Sequence, residues 1–372
     1  MYDLILLSAG NSTRFKAPFK KQWLRIGEIP LWLEVANNFK KNGLFDKIFI
    51  VANKKEIKIM QNYTNEFIFI EGGDKRQDSL LNALNFVKSE FVMVSDIARA
   101  KISTNLIKGL ISNLKNFDCV TPFLPCVDTA FLNDEKIDRE SLKLIQTPQI
   151  SKTSLLKKAL ESKEIFTDDS SAILKFGGKV NFIEGEKDAL KITTLQDLKK
   201  FNFKKTSNLQ FVGNGFDVHK FGQKRDLILC GVKVESDIGL IAHSDADAGI
   251  HALIDAIFGA CSIGDIGEFY PDNCERFKNA NSAILLKDCV KFVNSIGFEI
   301  VNADITLILE TPKISKYKNL MKQKIANLLK IPPFRVNIKA TTTEKLGFTG
   351  RKEGIATIAS VNVKFFDYEK FI

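Results

Sequence analysis

Tyr2-Asp3-Leu4-Ile5-Leu6-Leu7-Ser8-Ala9-Gly10-Asn11-Ser12-Thr13-Arg14-Phe15 sets a short apolar run against small residues and then a cation. A run of that length, ended by Ser-Ala-Gly, reads as a buried strand and not as a signal peptide. The unit recurs: the pattern predicts strands at 2–8, 47–52, 67–71, 90–95 and 118–123, alternating with helices at 30–41, 54–62, 76–88 and 103–114. Strands alternating with helices specify a mostly parallel sheet covered on both faces, an α/β Rossmann-like domain. Ligands in such sheets bind beyond the carboxyl ends of the strands. The loops after 2–8, 67–71 and 90–95 should therefore meet at one site.

Between Val127 and Gln149 the periodicity loosens into what reads as a projecting arm. The polar, basic stretch 199–208 interrupts both periodicities and marks a boundary. We expect a first domain over 1–205, a linker at 206–210 and a second domain over 211–372. In the second, strands at 209–218, 227–235, 298–310, 335–341 and 355–365 with helices at 245–260, 282–296 and 315–329 predict an α+β fold.

A chain of 372 residues, 45% hydrophobic and 26% charged, suits two globular domains. Most of the net charge of +10 sits in the first 210 residues, dispersed along predicted helix faces. That dispersal favours a solvated surface over a nucleic-acid groove, and no arginine-rich strip or RNP-type aromatic motif appears. The six cysteines lack C-x-x-C spacing, so free thiols are expected in place of disulfides or thiolate zinc. No apolar stretch reaches the roughly 20 residues of a membrane span. The expected location is cytoplasmic.

Gly10 and its neighbours can cradle a phosphate with backbone amides, while Arg14 and a lysine of the following Lys20-Lys21-Gln22 can neutralise a triphosphate as charge moves onto the leaving pyrophosphate. Gly72-Gly73-Asp74-Lys75-Arg76-Gln77-Asp78-Ser79 offers close backbone approach with carboxylate and hydroxyl groups for a base. Asp96, at a strand end, suits ribose or magnesium.

The ordered set Ala9-Gly10 to Arg14, Lys21-Gln22, Gly72-Gly73-Asp74 to Ser79, Asp96 to Arg99, Asp128-Thr129, Asp138-Arg139, Thr147-Pro148-Gln149, Thr167-Asp168-Asp169 and Lys191 resembles the 2-C-methyl-D-erythritol 4-phosphate cytidylyltransferases over about the first 200 residues. The resemblance implies transfer of CMP from CTP to the methylerythritol phosphate with release of pyrophosphate. It gives Arg14, Lys21 and Lys191 the transition-state charge and Ala9, Gly10, Gly73, Asp74 and Ser79 the nucleotide. Asp96 would lie near ribose and Mg2+- or Mn2+-bound phosphates. Arg99, Thr129, Arg139, Thr147 and Lys191 would hold the acceptor, some from a partner subunit's arm, with Arg139 also counted as catalytic. Ile97 and Ala100 depart from the family's Asp-Ala-Ala-Arg-Pro, and Val127 stands where arginine is common. A nucleotidyltransferase for another acceptor, or a catalytically dead assembly scaffold, stays open for this half.

All three histidines, His219, His243 and His251, lie in one short stretch of the second half. Period-two spacing points Asp217 and His219 to one side of a strand. His251 reads as lying within a helix, with Asp247 and Asp255 four residues either side to orient it. Two imidazoles, a carboxylate and an open position make up a catalytic zinc site.

With Ala242-His243-Ser244-Asp245-Ala246-Asp247, Gly264-Asp265-Ile266-Gly267, Phe269-Tyr270-Pro271-Asp272 and the run from Lys339 to Arg351, residues 211–365 closely resemble the 2-C-methyl-D-erythritol 2,4-cyclodiphosphate synthases. The resemblance implies cyclisation of a 2-phosphorylated cytidine diphosphate ester with loss of CMP. Asp217, His219 and His251 would bind Zn2+ or another divalent ion, and Glu344 a Mg2+ on the diphosphate. His243, Ser244 and Asp265 would hold the 2-phosphate and hydroxyls. Pro312, Lys313, Ile314, Ala340, Thr341, Thr342, Phe348 and Arg351 would receive the cytidine and phosphates, His243 and Thr342 being catalytic. Trimers in this family and arm-mediated dimers in the other imply a homo-oligomer, a hexamer built from both contacts.

Overall fold

A computed structural model describes residues 2–162, 164–223, 225–241, 245–271 and 281–372. The chain forms two compact units, residues 2–205 with 368–372, and residues 206–367.

The first unit is built on an eight-stranded sheet in the order Lys143–Ile145, Cys119–Pro125, Gln149–Lys152, Phe91–Asp96, Tyr2–Leu7, Phe45–Ala52, Ile68–Glu71, with Val180–Glu184 also pairing Cys119–Pro125. Tyr2–Leu7 pairs in parallel with both Phe45–Ala52 and Phe91–Asp96. Leu4, Ile5, Leu6, Val92, Met93 and Val94 are fully buried, as strands covered on both faces require. Gln149–Lys152 runs antiparallel between Phe91–Asp96 and Cys119–Pro125, so the sheet is mixed at that side. Helix Leu31–Lys40 buries Leu31, Trp32, Val35, Ala36 and Phe39, one stripe at helical period. Asn53, Ser103 and Asp168 cap three helices with side-chain oxygens. The expected arm is a hairpin of Ala130–Leu132 and Glu135–Ile137, but its return strand Lys143–Ile145 rejoins the main sheet.

The second unit has a five-stranded sheet in the order Gly239–Leu240, Gln210–Gln223, Gly354–Phe365, Phe298–Ile308, Val336–Thr341. Helix Ala248–Ala260 packs on the two central strands and is apolar nearly all round because other elements cover its remaining faces. The single strand expected at 227–235 is a hairpin, Leu227–Leu229 and Val232–Val234, turned at Cys230-Gly231 with φ of 51° and 72°. The helix expected from 245 starts at Ala248, because the Asp247 carboxylate caps it by accepting from the Ile250 N–H.

Among the described residues no helix is long and apolar enough to cross a membrane, and among them cysteines 119, 126, 230, 261 and 289 form no disulfide.

Candidate active sites

In the first unit, the loops after Tyr2–Leu7, Ile68–Glu71 and Phe91–Asp96 meet in one cleft of about 300 Å³. Its walls include Ala9, Gly10, Arg14, Lys21, Gly73, Asp74, Ser79, Asp96 and Lys191. Arg14, Lys21, Lys75, Arg76 and Lys191 face it against only Asp74 and Asp96, a charge balance made for a polyphosphate.

The loop bearing the first cations is held from behind. Lys21 N–H donates to Ser12 Oγ at 3.0 Å, Ser12 Oγ to Gln22 Oε1 at 3.2 Å, and Gln22 Nε2 to the Gly10 carbonyl at 3.2 Å. Glu56, 1% exposed, accepts from Trp23 Nε1 at 2.6 Å and from Lys20 Nζ at 2.5 Å. Sequence reasoning missed Glu56, which sits on a helix 35 positions beyond Lys21 and outside every motif. Lys21 Nζ donates to the Ile192 carbonyl at 3.2 Å, which brings it beside Lys191. Burial and the Lys191 charge hold the Lys21 ammonium below the ordinary lysine value against the pull of Asp96. Burial pushes the Asp96 carboxyl up, but Lys191, at 2.5 Å, and Arg76 more than offset it and keep Asp96 ionised. Arg76, another residue the sequence did not single out, pairs with the fully buried Asp169 at 3.0 Å.

Arg99 and Thr147 adjoin this cleft without lining it. Arg99 Nε donates to Thr147 Oγ1 at 3.0 Å, Asp96 N–H to the same oxygen at 3.3 Å, and Arg99 forms a β-bridge with Lys191. Thr129 and Arg139 are exposed on the arm, where Arg139 Nη1 donates to the Val127 carbonyl at 2.9 Å. Within one chain they do not join the cleft. Of the departures from the family pattern, Ile97 and Ala100 are buried and Val127 is exposed.

In the second unit, residues 213, 215, 217 and 219 share one face of Gln210–Gln223, and that face meets helix Ala248–Ala260. A Cβ on Gly213 would lie 2.0 Å from the Ala256 carbonyl oxygen. Only glycine admits the helix so close, and this approach sets His251 over Asp217 and His219. Asp217 Oδ2 lies 2.9 Å from His219 Nε2 and 3.3 Å from His251 Nδ1, and the two imidazole nitrogens are 3.5 Å apart. A tetrahedral ion with bonds of about 2.0–2.1 Å spaces its ligand atoms about 3.3 Å apart. Asp217 Oδ2 is buried with no aligned hydrogen-bond donor, and among the described residues these three form the group whose ligand atoms lie close enough together to hold a metal ion. The donor set fits a divalent cation. Burial pushes the Asp217 carboxyl up, yet its contacts with His219 and His251 hold it well below the usual carboxylate range.

The expectation that Asp247 and Asp255 orient His251 is corrected. Asp247 accepts from the N–H groups of Ile250, Cys230 and Gly231, and Asp255 from that of Ile266. The orienting chain runs through Ser282. With His251 Nδ1 turned to Asp217, Nε2–H donates to Ser282 Oγ at 2.9 Å, and Ser282 Oγ–H donates to Asp245. Ser282 N–H also donates to Asp245 Oδ2 at 2.9 Å. Ser282 lies 31 residues from His251, so no spacing pattern signals it.

Pro312, Lys313, Ile314, Ala340, Thr341 and Thr342 line one pocket. Glu344, with φ of 53°, accepts from Thr342 Oγ1 at 2.9 Å. Glu310 braces this turn by accepting from Thr343 N–H and Lys345 N–H, both at 3.2 Å. Asp265 caps the turn Ile266–Phe269 by accepting from Glu268 N–H at 3.0 Å. Arg351 forms a double hydrogen bond with Glu353, and Phe348 is 36% exposed. His243, Ser244 and Asp272 lie outside the described residues.

Comparison with known proteins follows the same division. The family model for 2-C-methyl-D-erythritol 4-phosphate cytidylyltransferase matches residues 3–206, and that of the YgbB family residues 210–364. The bifunctional enzyme IspD/IspF of Campylobacter hominis is 56% identical over 368 residues, 99% of each chain. That of Campylobacter jejuni strain RM1221 is 52% identical over 368 residues, again 99% of each. A solved structure of the bifunctional IspDF from Campylobacter jejuni aligns with a TM-score of 0.89 at 52% identity, covering 99% of both chains.

Proposed function

The chain belongs to the bifunctional IspD/IspF enzymes, a methylerythritol phosphate cytidylyltransferase joined to a cyclodiphosphate synthase of the non-mevalonate isoprenoid route, and on that footing we propose which of its residues run the two reactions. The observation that carries the assignment is the convergence of four separate segments, around residues 9–14, 21, 73–79 and 96, with Lys191 in one cationic cleft.

In the first reaction a phosphate oxygen of methylerythritol 4-phosphate attacks the α-phosphorus of CTP in line, and pyrophosphate departs. Arg14, Lys21 and Lys191 compensate the charge gathering on the phosphoryl oxygens, which makes positioning and electrostatics the whole of the catalysis. Ala9, Gly10, Gly73, Asp74 and Ser79 hold the nucleotide, with Asp96 toward the ribose and the Mg2+ or Mn2+ that accompanies the triphosphate. Arg99 and Thr147 receive the acceptor phosphate, and Thr129 and Arg139 reach a partner's cleft from the arm. Their exposure within one chain supports that trans arrangement.

In the second reaction the 2-phosphate attacks the β-phosphorus of the cytidine diphosphate ester and CMP leaves. Asp217, His219 and His251 would hold Zn2+, and Glu344 a Mg2+, which when bound would supply Lewis acidity toward the diphosphate. Asp245 and Ser282 fix the tautomer and tilt of His251. His243, Ser244 and Asp265 hold the 2-phosphate and hydroxyls, while the pocket from Pro312 to Thr342, with Phe348 and Arg351, takes the cytidine and its phosphates. Thr342 and His243 contact the reacting phosphates.

Homo-oligomerisation is supported by the apolar residues Val212, Phe216, Val218 and Ile358 exposed on the sheet and by Phe131 and Leu132 exposed on the arm; the hexamer follows from combining a three-fold contact of one half with a two-fold contact of the other. We place the enzyme in the cytoplasm, where free thiols persist. One assay of the intact protein tests the reading: CTP with methylerythritol phosphate must yield pyrophosphate, and the 2-phosphorylated ester must yield CMP. Pyrophosphate release with a different acceptor only would overturn the first assignment.

A further inference from the structure

Residues 368–372 follow the last strand of the second unit, Gly354–Phe365, yet they belong to the first unit. They form one short helical turn, Tyr368–Phe371. Tyr368 is 4% exposed, and Glu369 reaches Lys205 Nζ at 3.3 Å. The Phe371 ring meets Phe19 in a T-shaped contact with centroids 6.0 Å apart, and Phe19 meets Phe15 in the same manner at 5.7 Å.

Phe15 and Phe19, 1% and 3% exposed, are the two apolar anchors of the loop that bears Arg14 and Lys21. Each anchor lies within two residues of one of those cations. The loop has little regular structure to hold it. Its segments 13–15 and 21–23 are single turns, and Ser12 and Lys16 both sit in the left-handed region, with φ of 54° and 52°. Its shape therefore depends on what its side chains pack against.

We propose that the segment 368–372 is a positioning element of the cytidylyltransferase site: the ring sequence Phe371, Phe19, Phe15 holds the loop so that Arg14 and Lys21 point into the cleft. Edge-to-face aromatic contacts have a preferred geometry, so a ring at 371, itself 38% exposed, restrains the orientation of Phe19. The exposed Lys205–Glu369 pair contributes little by itself. This inference rests on the reading of Arg14 and Lys21 as the cations of the transition state. It makes the first activity depend on residues encoded after the second catalytic unit.

The test uses the full chain, a chain ending at Asp367, Phe371→Ala and Phe371→Tyr, with Arg14→Ala and Lys21→Ala in parallel. Cations aimed at a transition state act on kcat more than on KM. The expected result is a fall of about tenfold in kcat for pyrophosphate release in the shortened chain and in Phe371→Ala. KM for CTP and the rate of CMP release stay within about twofold, and Phe371→Tyr, which keeps the ring, restores kcat. Unchanged kcat in both the shortened chain and Phe371→Ala overturns the proposal. So does a loss that only follows the unfolded fraction measured by circular dichroism, or one that Phe371→Tyr fails to restore. If Arg14→Ala and Lys21→Ala keep full activity, the cation reading itself has failed, an outcome separate from either of these.

Discussion

Gly215 and Ala252 stand so close that a Cβ on the glycine would lie 2.0 Å from the Ala252 carbonyl oxygen. Ala252 follows His251 in its helix, and Gly215 precedes Asp217 by one strand repeat. The missing side chain is thus what brings the helical imidazole within 3.3 Å of the strand carboxylate.

Gly215→Ala should push the helix away and separate His251 from Asp217 and His219. Overpacking of this kind costs about 1–3 kcal/mol, which lowers the melting temperature of the second unit. Zinc content and CMP release should both collapse while pyrophosphate release continues. Metal analysis beside the two assays checks this, and a fully loaded, active variant would contradict it.

Arg14→Ala and Lys21→Ala should each lower kcat for pyrophosphate release by about 10²–10³-fold, the usual cost of losing a group aimed at transition-state charge. CMP release should not change. Steady-state kinetics on both reactions decides the matter.

His251→Ala should abolish zinc binding and CMP release and spare the first reaction, because residues 1–210 contain no histidine. Ser282→Ala should be milder. Losing a partner that orients a metal ligand costs about 10–100-fold in metal affinity or activity. Competition against a zinc-chelating dye measures it, and unaltered affinity would remove Ser282 from the ligand's support.

The Lys21 ammonium, held low by burial and Lys191, should lose its proton in the free enzyme below the ordinary lysine value of about 10.4. As pH rises the cation is lost, so kcat/KM for CTP should decline on the alkaline side earlier than for an unshifted lysine. Bound triphosphate favours the charged form, so the alkaline limb of kcat should lie at higher pH. Coincident limbs in the two profiles would show that another group titrates.

Light scattering should report an oligomer at micromolar concentration. Replacing Phe216 and Val218 together by serine removes apolar area from the exposed sheet face and should shift the protein to smaller species. An unchanged mass would assign that face another role.

The α/β alternation and the three loops of the first cleft were legible because each strand ends in its own punctuation, Ser8-Ala9-Gly10, Gly72-Gly73 and Asp96. Asp217 and His219 were legible from period two. The groups behind them were not: Glu56, Arg76, Glu310 and Ser282 act through contacts across 30 or more residues, and such pairing leaves no periodic trace. Asp247 and Asp255 misled for a related reason. Helical spacing places them beside His251, but each carboxylate is already engaged by backbone N–H groups. The hairpin at Leu227–Val234 was read as one strand because its turn, Cys230-Gly231, is only two residues long.

The chain passes between its units twice, after residue 205 and after residue 367. Two genes joined end to end, each coding for one contiguous domain, would give a product with a single crossover. Here no single break in the coding sequence returns both units whole: one at 205 strips the first unit of residues 368–372, and one at 367 leaves the second unit still attached. In genetic terms the joining is not reversible by one stop and one new start. A separate first cistron ending at residue 205 would lack the short aromatic segment that now lies beyond its neighbour.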